Sequence, residues 1–342
     1  MKIEIENGGI LTTIQDGGRF GYEQFGVSPG GPMDYHAMQI ANLLVDNNRT
    51  EACLEMTIMG PTLRFGSSAV IAITGADMKA MLNDKPVSRY RAVMVCAGDI
   101  LRFGMAEEGC RTYLAVAGGF LIPEVMGSKG TMVAHGFGGY QGRKLAKGDA
   151  LILAKKVESL PNMSSRWTTI DRYRREEKIL RVIMGPQDDR FSEKGIQSFL
   201  KGTYEVTSEF DRMGYRLKGP VIEHKEDGNI ISDGIVTGSI QVPTDGQPIV
   251  MLSEHQTIGG YTKIATIITI DLPVIGQCKA KDKIRFQKVS LEEAHRLYRA
   301  YEAEVRALIQ KIKTPVTYLP PKYYTITIHK KTYQVQVEER KD

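Results

Sequence analysis

The chain has 342 residues, of which 42% are hydrophobic and 25% charged, enough apolar content for a packed core, which excludes a disordered polymer. Lys plus Arg number 45 and Asp plus Glu 40, and the resulting net charge of +5 is too thin for a nucleic-acid footprint, which needs clustered basic residues. At about 150 residues per domain the length predicts two domains or one large one.

The N-terminus, Met1-Lys2-Ile3-Glu4-Ile5-Glu6-Asn7, alternates as a strand does and carries no apolar signal-peptide segment. No window approaches 18 consecutive apolar residues, so a cytoplasmic chain without membrane contact is expected. The loop Gly26-Val27-Ser28-Pro29-Gly30-Gly31-Pro32 opens a helix predicted over 32–45. Its N-terminus is a candidate anion site, with Ser28, Gly30, Gly31 and Asp34 beside it; Asp34 would partly neutralise that field or stabilise the helix end. A capped tight turn is the alternative.

Short apolar runs at 69–73, 90–95 and 113–116 read as strands between glycine turns. Next comes the glycine-dense stretch Gly136-Phe137-Gly138-Gly139-Tyr140-Gln141-Gly142-Arg143-Lys144. Its spacing is neither a Walker A loop nor a dinucleotide fingerprint. Gly138, Gly139 and Arg143 would belong to a flap over a ligand, or to a long hairpin connection. The charged run 171–178, preceded by Pro161-Asn162-Met163-Ser164-Ser165, predicts a linker or excursion over 156–178.

Strands resume at 180–184, 248–252 and 264–270. Among them lies the densest polar cluster: Asp211 to Arg216, Gln241 to Pro248 and Glu254 to Lys263. Glutamine amides offer donors and acceptors, Arg212 and Lys263 can hold a carboxylate, and Asp245 can act as a base or orient one. The candidate catalytic residues are Asp245, Gln256 and Lys263. The candidate substrate-binding residues are Arg212, Tyr215, Gln241, Gln247 and Tyr261. Together they suit a small polar amide or acid; polar turn residues of a barrel are the alternative.

A helix is predicted over 291–312, with Ser290-Leu291-Glu292-Glu293 as its capping box and Pro315 after its end. The tail 323–337 reads as a β-hairpin. Four scattered cysteines predict buried, reduced thiols, and the six histidines lack ligand spacing, so no metal is expected. The halves echo one another: Asp16-Gly17-Gly18-Arg19 with Asp211-Arg212, and Gly98 to Phe103 with Lys281 to Phe286, at similar offsets. These echoes predict a duplicated β domain, with first and second barrels at 1–155 and 179–290, a cleft where they meet, and a helix-and-hairpin tail at 291–342.

Glycine is abundant, at 35 residues, in keeping with turns in a β-rich protein and with ligand loops. Several stretches then carry a family resemblance: Thr13 to Tyr22, Gly31-Pro32-Met33-Asp34, Gly138 to Arg143, Asp211 to Leu217, Gly238 to Gln247 and Gln256 to Ala265. Through them the chain resembles the biotin-dependent carboxyltransferase family known as allophanate hydrolase subunit 2, which includes the C subunit of 5-oxoprolinase and the regulator KipA. The resemblance implies a mainly β fold of two tandem cyclophilin-like β-barrels with a few helices. It implies one component of an ATP-dependent 5-oxoprolinase, opening 5-oxo-L-proline to L-glutamate with a KipI-like B subunit and a LamB/YcsF-type A subunit. ATP with Mg would be used in the complex. The alternatives it leaves are a KipA-like protein that antagonises a KipI-like kinase inhibitor, and a carboxyltransferase component working on urea or another amide. The tail resembles the opening hairpin of a biotinyl carrier domain but includes no biotinylation motif, so no covalently attached biotin is expected.

Overall fold

The computed structural model describes residues 1–169, 178–315, 322–328 and 331–337. Strands dominate, joined by four α-helices, α1 (Tyr35–Leu44), α2 (Glu193–Lys201), α3 (Leu272–Gly276) and α4 (Leu291–Lys313). The charged run at 171–177 lies outside the described residues. Among the described residues no helix is long and apolar enough to cross a membrane.

In the first half the strands pair as two sheets, of six and five strands, packed face to face. Ile3, Ile5, Leu63 and Phe65 of one sheet meet Ile14, Leu54, Ile71 and Leu114 of the other in a dry core. The five-stranded sheet is buried on its outer face too, where α1 lays Ala37, Ile40, Ala41 and Leu44 on Val70, Ala72, Tyr113 and Ala115. Double burial explains why the strand Ala69–Gly75 reads as a continuous apolar run rather than an alternation. The helix begins at Tyr35, not 32, because Asp34 caps it: its carboxylate accepts from the Ala37 N–H at 2.8 Å.

The second half is one eight-stranded sheet whose ends meet. The strand Lys178–Met184 runs parallel to Lys283–Lys288 and antiparallel to Ile258–Ile267, and the pairing continues round through Thr203–Phe210, Gly214–Lys218, Ile249–Met251 and Ser239–Val242. The strand Asn229–Gly234 is added outside that ring. Two helices that periodicity did not reveal, α2 and α3, are short; α2 is capped by Ser192 and stacks Phe199 on Phe286.

The long helix α4 starts at the expected capping residue, Ser290, whose hydroxyl accepts from the Glu293 N–H. Its buried stripe holds Ala294, Tyr301, Val305, Leu308 and Ile312. Leu308 and Ile312 pack beside α1, while Tyr301 and Val305 pack on Ile268 and Ile270, so one helix binds both halves. Val157, Leu160 and Met163 of the connecting segment also pack against the first half. The tail hairpin is present as Lys322–Ile328 paired with Lys331–Val337.

Candidate functional site

The glutamine cluster is assembled by the closed sheet of the second half. Arg216, Ile249, Gln241 and Lys263 stand opposite one another across four neighbouring strands. The ladder slips between Ile240 and Gln241, a bulge of the kind that redirects a side chain. Gly259 makes room for the redirected amide: a Cβ there would lie 2.6 Å from Gln241 Nε2. Gly259 and Gly260 belong to the strand Ile258–Ile267.

A cleft of about 560 Å3 opens over this surface, lined by Gln241, Gln256 and Tyr261 together with Glu209, Asp211, Met213, Arg216 and Met251. Gln256 Nε2 donates to Gln241 Oε1 at 3.4 Å. That leaves Gln241 Nε2 as a buried donor and Gln256 Oε1 as a buried acceptor, each without a partner among the described residues. Exchanging N and O in both amides preserves one free donor and one free acceptor. The cleft also holds the exposed pair Arg216–Glu209, at 3.0 Å, of which only Arg216 falls in the polar cluster legible in the sequence.

The other candidates are placed differently. Lys263 Nζ is held by Asp233 at 2.6 Å and the Gly234 carbonyl at 3.0 Å, and that ammonium holds the Asp233 carboxyl below its usual range. Asp245 is exposed on its turn, where it accepts from the Gln247 N–H. Gln247 latches the Gly219 N–H and carbonyl. Neither lines the cleft.

Arg212 and Tyr215 lie in the seam between the halves. Asp211 and Met213 point into the cleft, whereas the Arg212 guanidinium, only 5% exposed, donates to Glu55, to Glu254 at 2.5 Å and to the Gly31 carbonyl at 2.5 Å. Glu55 also accepts from the Met33 N–H and the Tyr113 hydroxyl. Tyr215 is fully buried, and its hydroxyl receives a hydrogen bond from Arg111 at 2.5 Å and donates to the Cys278 carbonyl. Gln277 completes the seam, accepting from the Cys110 and Arg111 N–H groups and donating to Asp34. The proposed loop residues divide: Gly31 and Asp34 serve this seam, Ser28 is buried, and Gly30 donates to the Ser253 carbonyl.

The glycine-dense loop lines a second cavity of about 430 Å3, with Gly138, Gly139 and Tyr140 facing Leu121, Ile122 and Val125. Arg143 is not free there; both its terminal nitrogens bind Asp149, at 2.7 and 2.8 Å.

His255 is buried, and its Nδ1–H donates to the Gln256 carbonyl at 2.7 Å. Its Nε2 has no partner among the described residues, and burial lowers its pKa below the ordinary value, favouring the neutral ring. The lone signal for it was its position directly before Gln256. Of the four thiols, Cys53, Cys110 and Cys278 are buried as expected, but Cys96 is exposed on a turn.

A mainly β chain of two halves with an amide-lined cleft matches one family model over residues 25–288, the carboxyltransferase domain, subdomain A and B. The chain belongs to that carboxyltransferase-domain family. It is similar to the protein named as the C subunit of 5-oxoprolinase in Escherichia coli, 37% identical over 293 residues, covering 85% of this chain and 93% of the relative. The protein of the same name from Haemophilus influenzae is 36% identical, with 85% and 92% covered. The crystal structure of the K. lactis urea amidolyase superposes with a TM-score of 0.82 at 30% identity, covering 95% of this chain and 22% of that one. The chain therefore spans about a fifth of that larger protein.

Proposed function

We propose that this chain is the C subunit of an ATP-dependent 5-oxoprolinase in the cytoplasm, opening 5-oxo-L-proline to L-glutamate together with a KipI-like B subunit and a LamB/YcsF-type A subunit. One observation supports the reading: of the two glutamines that line the cleft, Gln241 Nε2 is a buried donor and Gln256 Oε1 a buried acceptor, each without a partner among the described residues. A lactam is a cis amide, whose C=O and N–H point outward side by side. Gln241 Nε2 would donate to the lactam oxygen and Gln256 Oε1 would accept its N–H. Arg216 is the cation of the same cleft, suited to the carboxylate of the ring. Relatives that share more than nine-tenths of their length with this chain carry the 5-oxoprolinase name, which selects that lactam among cyclic amides.

Holding the lactam oxygen by Gln241 fixes the orientation in which the carbonyl is activated. ATP supplies that activation in the assembly. We assign the nucleotide to a partner or a shared face, because the free polar atoms of this cleft suit an amide edge. The test is ATP-dependent release of glutamate from 5-oxo-L-proline by this chain with both partners. Turnover that requires all three supports the reading. Tight binding to the KipI-like protein without turnover would instead favour a KipA-like regulator.

A further inference from the structure

Arg19 is a buried cation with two nitrogens unaccounted for. It is 1% exposed. Its Nη2 donates to the Gly130 carbonyl at 2.6 Å and touches Ser128 Oγ at 3.5 Å, while Nε and Nη1 have no acceptor among the described residues. No ion pair among those residues neutralises it, although the charges of Asp16, three residues back, and of Glu254 reach Arg19, opposed by that of Arg212. The Asp16 carboxylate is engaged elsewhere: it accepts from Gly18 N–H, Ser128 Oγ–H and Lys129 N–H.

The contrast with Arg212 is instructive, because each arginine follows an aspartate in the loosely echoed loops, three residues after Asp16 and one after Asp211. Asp16 and Asp211 each accept from backbone N–H groups of the turn that follows. Both guanidinium groups are buried, yet Arg212 has an acceptor on every nitrogen, two of them carboxylates. Arg19 has acceptors on one nitrogen only. Stripping a guanidinium of water without replacing its acceptors is unfavourable, and an oxyanion is the complement that restores balance.

Glycine backbone, rather than side chains, closes around Arg19. A Cβ at Gly30 would stand 3.2 Å from Nη1 and one at Gly138 would stand 3.1 Å from Nη2. Both glycines have positive φ, and neither offers a side chain to the guanidinium. The ring of Phe137 stacks on it, 4.9 Å from the guanidinium carbon. Gly30 is fixed against the second half by its bond to the Ser253 carbonyl.

We propose that Arg19 anchors an oxyanion-binding site beneath the 136–142 loop, separate from the glutamine cleft, that takes the carboxylate or phosphate group of a small ligand through Nη1 and Nε. The site does not depend on the 5-oxoprolinase reading; only the identity of its natural ligand does. The full-length chain, labelled with 15N-arginine, tests it. The Arg19 Nε–H resonance, assigned by Arg19→Lys, is followed during titration with inorganic phosphate, acetate and 5-oxo-L-proline, with sodium chloride and the neutral lactam 2-pyrrolidinone as controls. At least one oxyanion should shift that resonance saturably, and neither control should. Response to phosphate alone identifies a phosphoryl source, and response to acetate and 5-oxo-L-proline a carboxylate source. Calorimetric affinity for the responding anion should fall at least tenfold in Arg19→Lys. It should also fall in Gly30→Ala, which keeps the arginine and crowds Nη1, so the test survives if the lysine variant does not fold. No oxyanion response, an equal response to chloride, or unchanged affinity in a folded variant overturns the proposal and leaves Arg19 satisfied by buried water. Absent 5-oxoprolinase turnover in the assembly would bear on the other reading and not on this titration.

Discussion

Arg212 of the second half donates to Glu55 of the first, and both are buried. Glu254 and the Gly31 carbonyl take its remaining nitrogens, so this side chain fastens the two halves together. Removing it leaves Glu55 and Glu254 uncompensated inside the seam. Arg212→Ala should lower unfolding stability by about 3–5 kcal/mol, the cost typical of breaking a buried pair from one side. Urea denaturation measures it. A midpoint within error of wild type would show that the seam tolerates the loss, and the role expected of Arg212 as a substrate cation would regain its appeal.

The glutamine pair predicts the opposite pattern. Gln241 Nε2 and Gln256 Oε1 have no protein partners, so losing them removes little from folding. Gln241→Ala and Gln256→Ala should each reduce kcat/KM of the reconstituted assembly by about tenfold, the scale of one hydrogen bond lost at a reacting amide. Their thermal midpoints should stay near wild type. Equal loss of stability and activity would mark the pair as structural.

The loop 136–142 separates two effects of glycine. Gly136 has positive φ and open space around it, whereas a Cβ at Gly138 would overlap the Gly130 carbonyl oxygen. Gly136→Ala should therefore cost about 1 kcal/mol, the strain of the left-handed backbone alone. Gly138→Ala should cost at least twice that, because the loop must also move off Gly130. Equal midpoints for the two variants in thermal denaturation would contradict this packing.

One buried and one partly buried histidine give a pH dependence with a definite sign. Burial lowers the pKa of His255 and of His224 below the ordinary 6.5. The unfolded chain then takes up protons near pH 6.5 that the folded chain refuses. Stability should be fully present above that pH and decline as pH falls through 6.5 toward the depressed folded values. Replacing His255 with Asn should flatten the part of this decline that it contributes, measured as thermal midpoint between pH 7.5 and 5.5. An unchanged slope would show that other groups carry it.

Periodicity made the strands, α1, α4 and the Ser290 cap legible, because each is a local pattern with a local cause. Helix α3 was not legible, because five residues give too few turns for a periodic signal, while α2 shows only Ile196, Phe199 and Leu200 at helical spacing and was missed. The amide cluster was legible in composition, but its division was not. Gln241 and Gln256 reach the cleft while Arg212 turns to the seam, and that split depends on strand register and on the bulge at Gln241. Arg19 was visible only as half of an echo. That its nitrogens lack acceptors depends on where Asp16, Gly30 and Gly138 fold, which spacing alone does not contain.

Thiol reactivity follows burial. Cys53, Cys110 and Cys278 are enclosed in the two cores and the seam, and burial raises each thiol, Cys278 to about 12. Cys96 is exposed at the end of a strand, beside the turn that Asp99 closes by accepting its N–H at 2.7 Å. Only the thiolate reacts, so burial suppresses both the nucleophile and access to it. In native buffer at pH 8 a disulfide reagent should titrate one thiol per chain, and all four in denaturant. Cys96→Ser should abolish the native signal without shifting the unfolding midpoint. More than one native thiol would mean that the seam holding Cys110 and Cys278 opens on the time scale of the assay.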